Sequence, residues 1–329
     1  MSVRDATHSG SWYTAHRKEL DRQLAGWLSK AGESTTDGDP LPIEGLRAII
    51  APHAGYSYSG PAAGYAYKCI QPKKIKRVFI LGPSHHIHLP GCALSKCSEY
   101  ATPLGNLTID KSINAELAKT GQFQEMSLET DEHEHSIEMH LPYVYKVFEN
   151  HVDDVTIVPI LVGALSESKE AAYGKLLAPY LDNPENLFII SSDFCHWGTR
   201  FDYTYYVDEH NNITHSLHPK GQRHTHASSS STSSVVTGHQ KIFESIRQLD
   251  HEGMARIEDG SHHGFAQYLS RTHNTICGRH PIGVLMASVE ALGKDEHRTR
   301  FVHYAQSSSV LKPTESSVSY ASAFVQRDE

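Results

Sequence analysis

Four stretches of the chain are predominantly apolar, with Arg47, Arg77 and Thr156 as their only polar residues: residues 46–51, 77–82, 155–163 and 187–190. Their length and β-branched content, with Pro, Gly or Ser at their ends, predict buried core strands. Pro159 inside the third predicts a bulge or an edge position, because proline has no N–H for a ladder. Helical spacing occurs between and around these runs. Leu20, Leu24, Trp27 and Leu28 share one face behind Thr14, which has the chemistry of an N-cap. Further helices are predicted through Ala62–Tyr67, over 111–120 and 166–182, within 240–270, and through 284–292 with Pro281 in its first turn. Short strands fit 92–94, 100–104 and 107–109, and two closing strands fit 301–306 and 316–325.

Three of the buried runs end on polar side chains. Residues 46–51 lead into Pro52-His53, residues 77–82 into Pro83-Ser84-His85-His86, and residues 187–190 into Ser191-Ser192-Asp193, with Cys195, His196 and Trp197 just beyond. Ligands of open α/β sheets bind at the carboxyl ends of strands, so this convergence marks a candidate site. Adjacent side chains on an extended backbone point to opposite sides, so at most one of His85 and His86 can serve as a direct ligand. Residues 131–142 are dense in His and Glu, and His135 borders the apolar part of that segment. Cys277 stands just before a helix start and near Arg279, an electropositive setting that favours thiolate. His53, His85 and Cys277 together form a mixed N/S set of three, which leaves a coordination position open, as catalytic sites do. Imidazole suits zinc, copper and iron, and thiolate shifts the preference to softer ions. Asp193 and His196 fall at the same sheet edge, as supporting groups or as acid and base. Trp12 fits either a core anchor or a pocket wall.

Composition narrows the classes. Of 329 residues, 39% are hydrophobic, which is enough for a substantial core. A formal net charge of −8 argues against a general nucleic-acid binder. No segment has the apolar length to span a bilayer, and residues 1–14 lack the apolar core of a signal peptide, so a cytoplasmic protein is expected, with nuclear entry left open. Five cysteines without C-x-x-C spacing fit a reducing compartment. Residues 210–239, rich in Ser, Thr and His, predict a disordered insertion. The aromatic run 201–206 fits a loop wall.

The blocks APHAGY (51–56), LGPSHH (81–86), DEHEHSIEMHLP (131–142), VGALSES (162–168), SSDFCHWG (191–198) and ICGRHPIG (276–283) closely resemble the Memo family, and the resemblance covers nearly the whole chain outside 210–239. It implies a single α/β domain over residues 1–329, with a central, mostly parallel sheet flanked by helices, similar to the class III extradiol dioxygenases. It also implies a bound copper or iron ion, with zinc as a further candidate. The animal member is linked to cell motility and to binding a phosphotyrosine segment of an ErbB-type receptor. By this resemblance His53, His85 and Cys277 match the metal ligands, and His196 and Asp193 match the catalytic positions. Trp12, Tyr58, His135 and Arg200 match positions that contact substrate or peptide.

Two departures matter. Cys277 stands where the dioxygenases carry a carboxylate, which replaces a hard ligand with a soft one. Asp202 stands where the animal protein carries an arginine, which weakens attraction for phosphate. The expected function is a redox-metal protein in metal or redox homeostasis and in signalling linked to motility or growth form. If active, it is a metal-dependent oxidoreductase. The alternatives are a non-enzymatic peptide- or phosphopeptide-binding adaptor using the same pocket, and a hydrolase or lyase using zinc-bound water with His196 as base.

Overall fold

The computed structural model describes residues 2–217 and 240–327. The predominantly apolar runs become four parallel strands: β1 (Leu46–Ala51), β2 (Arg77–Pro83), β3 (Thr156–Val162) and β4 (Asn186–Ser191). They lie in the order β3-β2-β4-β1. Two long closing strands, β5 (His297–Gln306) and β6 (Ser317–Arg327), continue the sheet antiparallel, with β6 hydrogen-bonded to β1. Beyond β3 the sheet runs through Leu107–Ile109 and Glu99–Tyr100 to Val3–Arg4.

The strands lack alternation because both faces of the sheet are covered. Ala48, Ile50, Phe79, Leu81, Phe188 and Ile190 enter one apolar cluster, whereas Ile49, Ala51, Val78, Ile80, Leu187 and Ile189 enter the other. Two helices, α1 (Arg17–Lys30) and α2 (Tyr56–Lys68), cover the second face with Leu20, Leu24, Ala63 and Tyr67. Two others, α3 (Glu167–Asp182) and α4 (Arg279–Leu292), pack on each other over the first face with Leu177, Leu181, Ile282 and Leu285. The result is the expected mixed α/β architecture, a large and mostly parallel sheet flanked by helices.

Several local expectations change. The first helix is capped by His16, and Thr14 instead accepts from the His16 N–H and donates to Glu19. Pro159 is interior to β3, but it pairs only with Ile80 of β2. On its other side the partner changes from Leu107–Ile109 to Cys92–Leu94, so the missing N–H falls at a seam. The segment 131–142 is broken into three short helices, Leu128–His133, His135–Glu138 and Leu141–Val147, with Glu134 as the cap between the first two.

The aromatic run is core rather than loop wall. Tyr203, Tyr205 and Tyr206 are buried, and the Tyr203 and Tyr206 hydroxyls donate to the Thr272 and Gln240 carbonyls. The predicted insertion at 210–239 is ordered at its start. Ile213–Thr214 pairs antiparallel with Tyr206–Val207, and Leu217 is buried. Residues 218–239 lie outside the described residues. Among those described, no helix is long and apolar enough to cross a membrane.

Candidate functional site

Because β1, β2 and β4 are parallel, their carboxyl ends open on one edge, and that edge receives His53, His85 and Asp193. β4 lies between the other two, which places Ser191 beside His53. The His53 backbone N–H donates to Asp193 Oδ1 at 2.8 Å and Ala54 N–H donates to the same atom at 3.3 Å. Asp193 thus clamps the turn after β1. Burial pushes its carboxyl pKa up, partly opposed by nearby His196 and these backbone donors.

The tautomer of His53 follows from its partners. Ser191 Oγ donates its only proton to the Ser136 carbonyl at 2.7 Å, so it accepts from His53 Nδ1 at 2.6 Å. The lone pair is then on Nε2, which stands 3.2 Å from Cys277 Sγ. Burial, followed by the neighbouring His85, holds the His53 imidazole well below its usual pKa, and so neutral.

His85 is oriented in a parallel way. Its Nδ1 lies 2.9 Å from Glu134 Oε1, and its backbone N–H donates to Glu134 Oε2 at 2.7 Å. Burial alone would raise Glu134. The hydrogen bond and charge of His85 outweigh it and bring the carboxyl down to about 2. The contact with Glu134 occupies His85 Nδ1 and leaves Nε2 as the ring nitrogen free to face a ligand.

His135, expected as a substrate or peptide contact, belongs with these two. Its ring stacks on His85 at 4.5 Å and lies 5.4 Å from His53. One ligand nitrogen from each of the three histidines fits within a mutual distance of 4.8 Å. Burial and the neighbouring His85 lower the His135 pKa to about 3.

A glycine admits this segment. A Cβ on Gly82 would lie 2.6 Å from Ser136 Oγ and 2.7 Å from Ile137 Cγ1. His86 falls in a second set with Glu134 and His135; the two adjacent histidines sit in a bend rather than an extended strand, and both rings border His135.

Cys277 arrives on the turn before α4. Gly278 N–H donates to Ser192 Oγ, and a Cβ on Gly278 would collide with the Ser191 carbonyl and Ser192. Asp193 N–H donates to the sulfur at 3.2 Å. The expected thiolate is not what this setting favours. Burial, then the Asp193 charge, pushes the thiol well up, and Arg279 lies in a groove with Leu165, Phe265 and His280. Desolvation outweighs the helix end here.

His196 donates from Nδ1 toward the carbonyls of Phe194 at 2.9 Å and Thr275 at 3.1 Å, which leaves Nε2 as an acceptor. Trp12 is 37% exposed and its ring lies 4.3 Å from His135, so it lines the site rather than anchoring α1. Tyr58 on α2 and Arg200 are exposed, and the Arg200 guanidinium covers the Phe201 ring. Asp202 next to it is exposed, in a left-handed turn.

Behind the histidines is a buried ionic frame that residue patterns did not reveal. Arg4 is fully buried, 2.8 Å from Glu138 and 3.2 Å from Asp131, and it donates to the carbonyls of Asp131 and Glu134. Glu138 also accepts from Tyr13 and from His8. This frame seats the 131–138 segment and the Trp12 loop against each other. The acid density of 131–142 was a visible signal, but a lone Arg4 far away in sequence was not.

A family model described as Memo-like protein matches residues 4–324. Protein MEMO1 of Danio rerio is 51% identical over 324 residues, covering 98% of this chain and 96% of its own length. Protein MEMO1 of Homo sapiens is 49% identical over 320 residues, covering 97% and 95%. The Protein memo-1 homolog of Caenorhabditis elegans is 44% identical over 323 residues, covering 97% and 81%. A crystal structure of the uncharacterized protein JW3007 from Escherichia coli K12 aligns over 83% of this chain and 98% of its own, with a TM-score of 0.46 and 11% identity.

Proposed function

The chain belongs to the Memo-like family, and from that premise we propose that it is a redox-metal protein holding copper or iron at the strand-end cluster. His53, His85 and Cys277 would be the ligands, with His135 alongside. The observation that carries this reading is the His53 tautomer: Ser191 fixes the proton on Nδ1 and leaves the Nε2 lone pair 3.2 Å from Cys277 Sγ. Imidazoles beside a sulfur, with His53 and His85 each oriented by a hydrogen bond on the far nitrogen, suit a soft or borderline transition metal. Copper or iron bound there would supply one-electron chemistry at an open coordination position. The chain's own part is to hold protons at defined atoms. Glu134 keeps one on His85 Nδ1, Ser191 keeps one on His53 Nδ1, and His196 offers Nε2 to accept one from a substrate. The dioxygenase-like pocket then serves metal or redox homeostasis, and any catalysis is oxidation.

Since the Cys277 thiol is held neutral, ligation must release its proton. Calorimetric Cu(I) or Fe(II) titration in buffers of different ionisation enthalpy tests this. Release of about one proton per ion in the wild type, absent in Cys277→Ser, is expected. Binding without proton release would contradict ligation by Cys277.

A second reading, capture of a peptide or phosphotyrosine segment at the same mouth, is favoured by the exposure of Trp12, Tyr58 and Arg200. Fluorescence anisotropy with a phosphotyrosine peptide tests it. Loss of binding in both Trp12→Ala and Arg200→Ala would support it, and indifference to both would remove it.

A further inference from the structure

His86 is exposed, and its one ring contact among the described residues is with His135, at 5.9 Å. Ligand atoms of His86, Glu134 and His135 fit within 4.8 Å of one another, as do those of His53, His85 and His135. The two sets share His135. Accessibility falls from His86, which is open to solvent, through His85 and His135, whose side chains are 26% and 12% exposed, to His53 at 2%. His135 Nδ1 is buried without a hydrogen bond, 3.5 Å from Glu134 Oε1. That carboxylate also receives His85 Nδ1, so it touches a member of each set.

We propose that His86, Glu134 and His135 form an outer acceptance site, which takes a divalent cation from solvent and passes it inward to His53, His85 and Cys277. This rests on the metal reading of the inner cluster. Imidazole and carboxylate together suit a borderline divalent ion still carrying waters, while the inner set adds the sulfur that retains it. Two divalent ions this close repel strongly, so the outer site fills before the inner one and not with it. His135 is the hinge of the exchange, because it can stay bound while His86 and Glu134 are traded for His53 and His85. His86 therefore governs how fast the inner site fills and not how tightly it holds.

The test is stopped-flow loading of the full metal-free chain with Co(II) alone, following the thiolate-to-cobalt absorption that reports Cys277 at the inner site. His86→Ala is expected to slow loading by roughly tenfold or more while reaching the wild-type endpoint. In Cys277→Ser, Co(II) binding without the thiolate band should persist at the remaining imidazoles, and its uptake should slow when His86→Ala is added. Loading of His86→Ala at the wild-type rate would overturn the outer site and leave the inner site standing. Absence of a thiolate band in the wild type would overturn the inner site, and with it the transfer.

Discussion

Ser191 Oγ accepts from His53 Nδ1 at 2.6 Å and donates its own hydrogen bond to the Ser136 carbonyl, so one hydroxyl on β4 sets the tautomer of a histidine that leaves β1. The relation depends on sheet order. Only because β4 lies between β1 and β2 does its last residue reach the side chain that follows β1.

Replacing Ser191 by Ala removes that constraint and leaves His53 Nδ1 and the Ser136 carbonyl unpaired in a fully buried place. Stability should fall by about 1–3 kcal/mol, and metal affinity by about 10–100-fold. Urea unfolding and metal titration check the two effects separately. Unchanged affinity in a folded Ser191→Ala would contradict the assigned tautomer.

Arg4 has no exposure, and Glu138, its partner at 2.8 Å, has almost none. Arg4→Ala leaves a buried carboxylate without its cation, and should destabilise the fold by about 3–5 kcal/mol. Chemical denaturation measures this. A loss under 1 kcal/mol would mean that Tyr13 and His8 suffice to hold Glu138.

Acid should destabilise the metal-free protein in two stages. Burial holds His140 at a pKa of about 3, and burial with His85 holds His135 at about 3, against an ordinary 6.5. The unfolded chain takes up these protons first, so stability is intact above about pH 6.5. It then falls toward pH 3 by about 1.4 kcal/mol per pH unit for each group. Glu134, depressed from 4.5 to about 2, adds a loss that begins below pH 4.5 and continues through its folded pKa. Urea unfolding between pH 7 and pH 5 reads the first stage. The slope should shrink in His140→Gln, and a flat profile in the wild type would contradict neutral burial.

Gly278 brings the Cys277 turn against the end of β4, where a Cβ would strike the Ser191 carbonyl. Gly278→Ala should cost about 1–3 kcal/mol in stability, and it should displace the sulfur from His53. Thermal unfolding and the thiolate-to-metal band monitor the two outcomes. A band of wild-type intensity would show that the turn tolerates the shift.

Much of this was legible in the residues. The four parallel strands announce themselves because burial on both faces leaves them almost without polar positions in their interiors. Strand ends in such a sheet must open on one edge, so His53, His85 and Asp193 could be placed together before any coordinate was known. Pro281 marked the helix start that brings Cys277. The parts that stayed hidden depend on distance in sequence or on solvent exclusion. Ser191 looks like a strand terminator until β4 is known to lie between β1 and β2. Arg4 and Glu138 pair across more than a hundred residues. The electropositive sequence around Cys277 pointed to thiolate, but desolvation decides the matter, and a linear pattern does not carry it. Tyr203, Tyr205 and Tyr206 resemble a pocket wall in composition, yet the hairpin to Ile213–Thr214 folds them into the core.

Strand-end imidazoles and Cys277 are proposed to hold one redox-active ion. Anaerobic Cu(I) and Fe(II) titration of the wild type, His53→Ala, His85→Ala and Cys277→Ser, each checked for an intact fold by circular dichroism, tests it most directly. One tight equivalent is expected in the wild type, lost in all three folded variants. No tight binding in the wild type, or binding that survives all three substitutions, would contradict it.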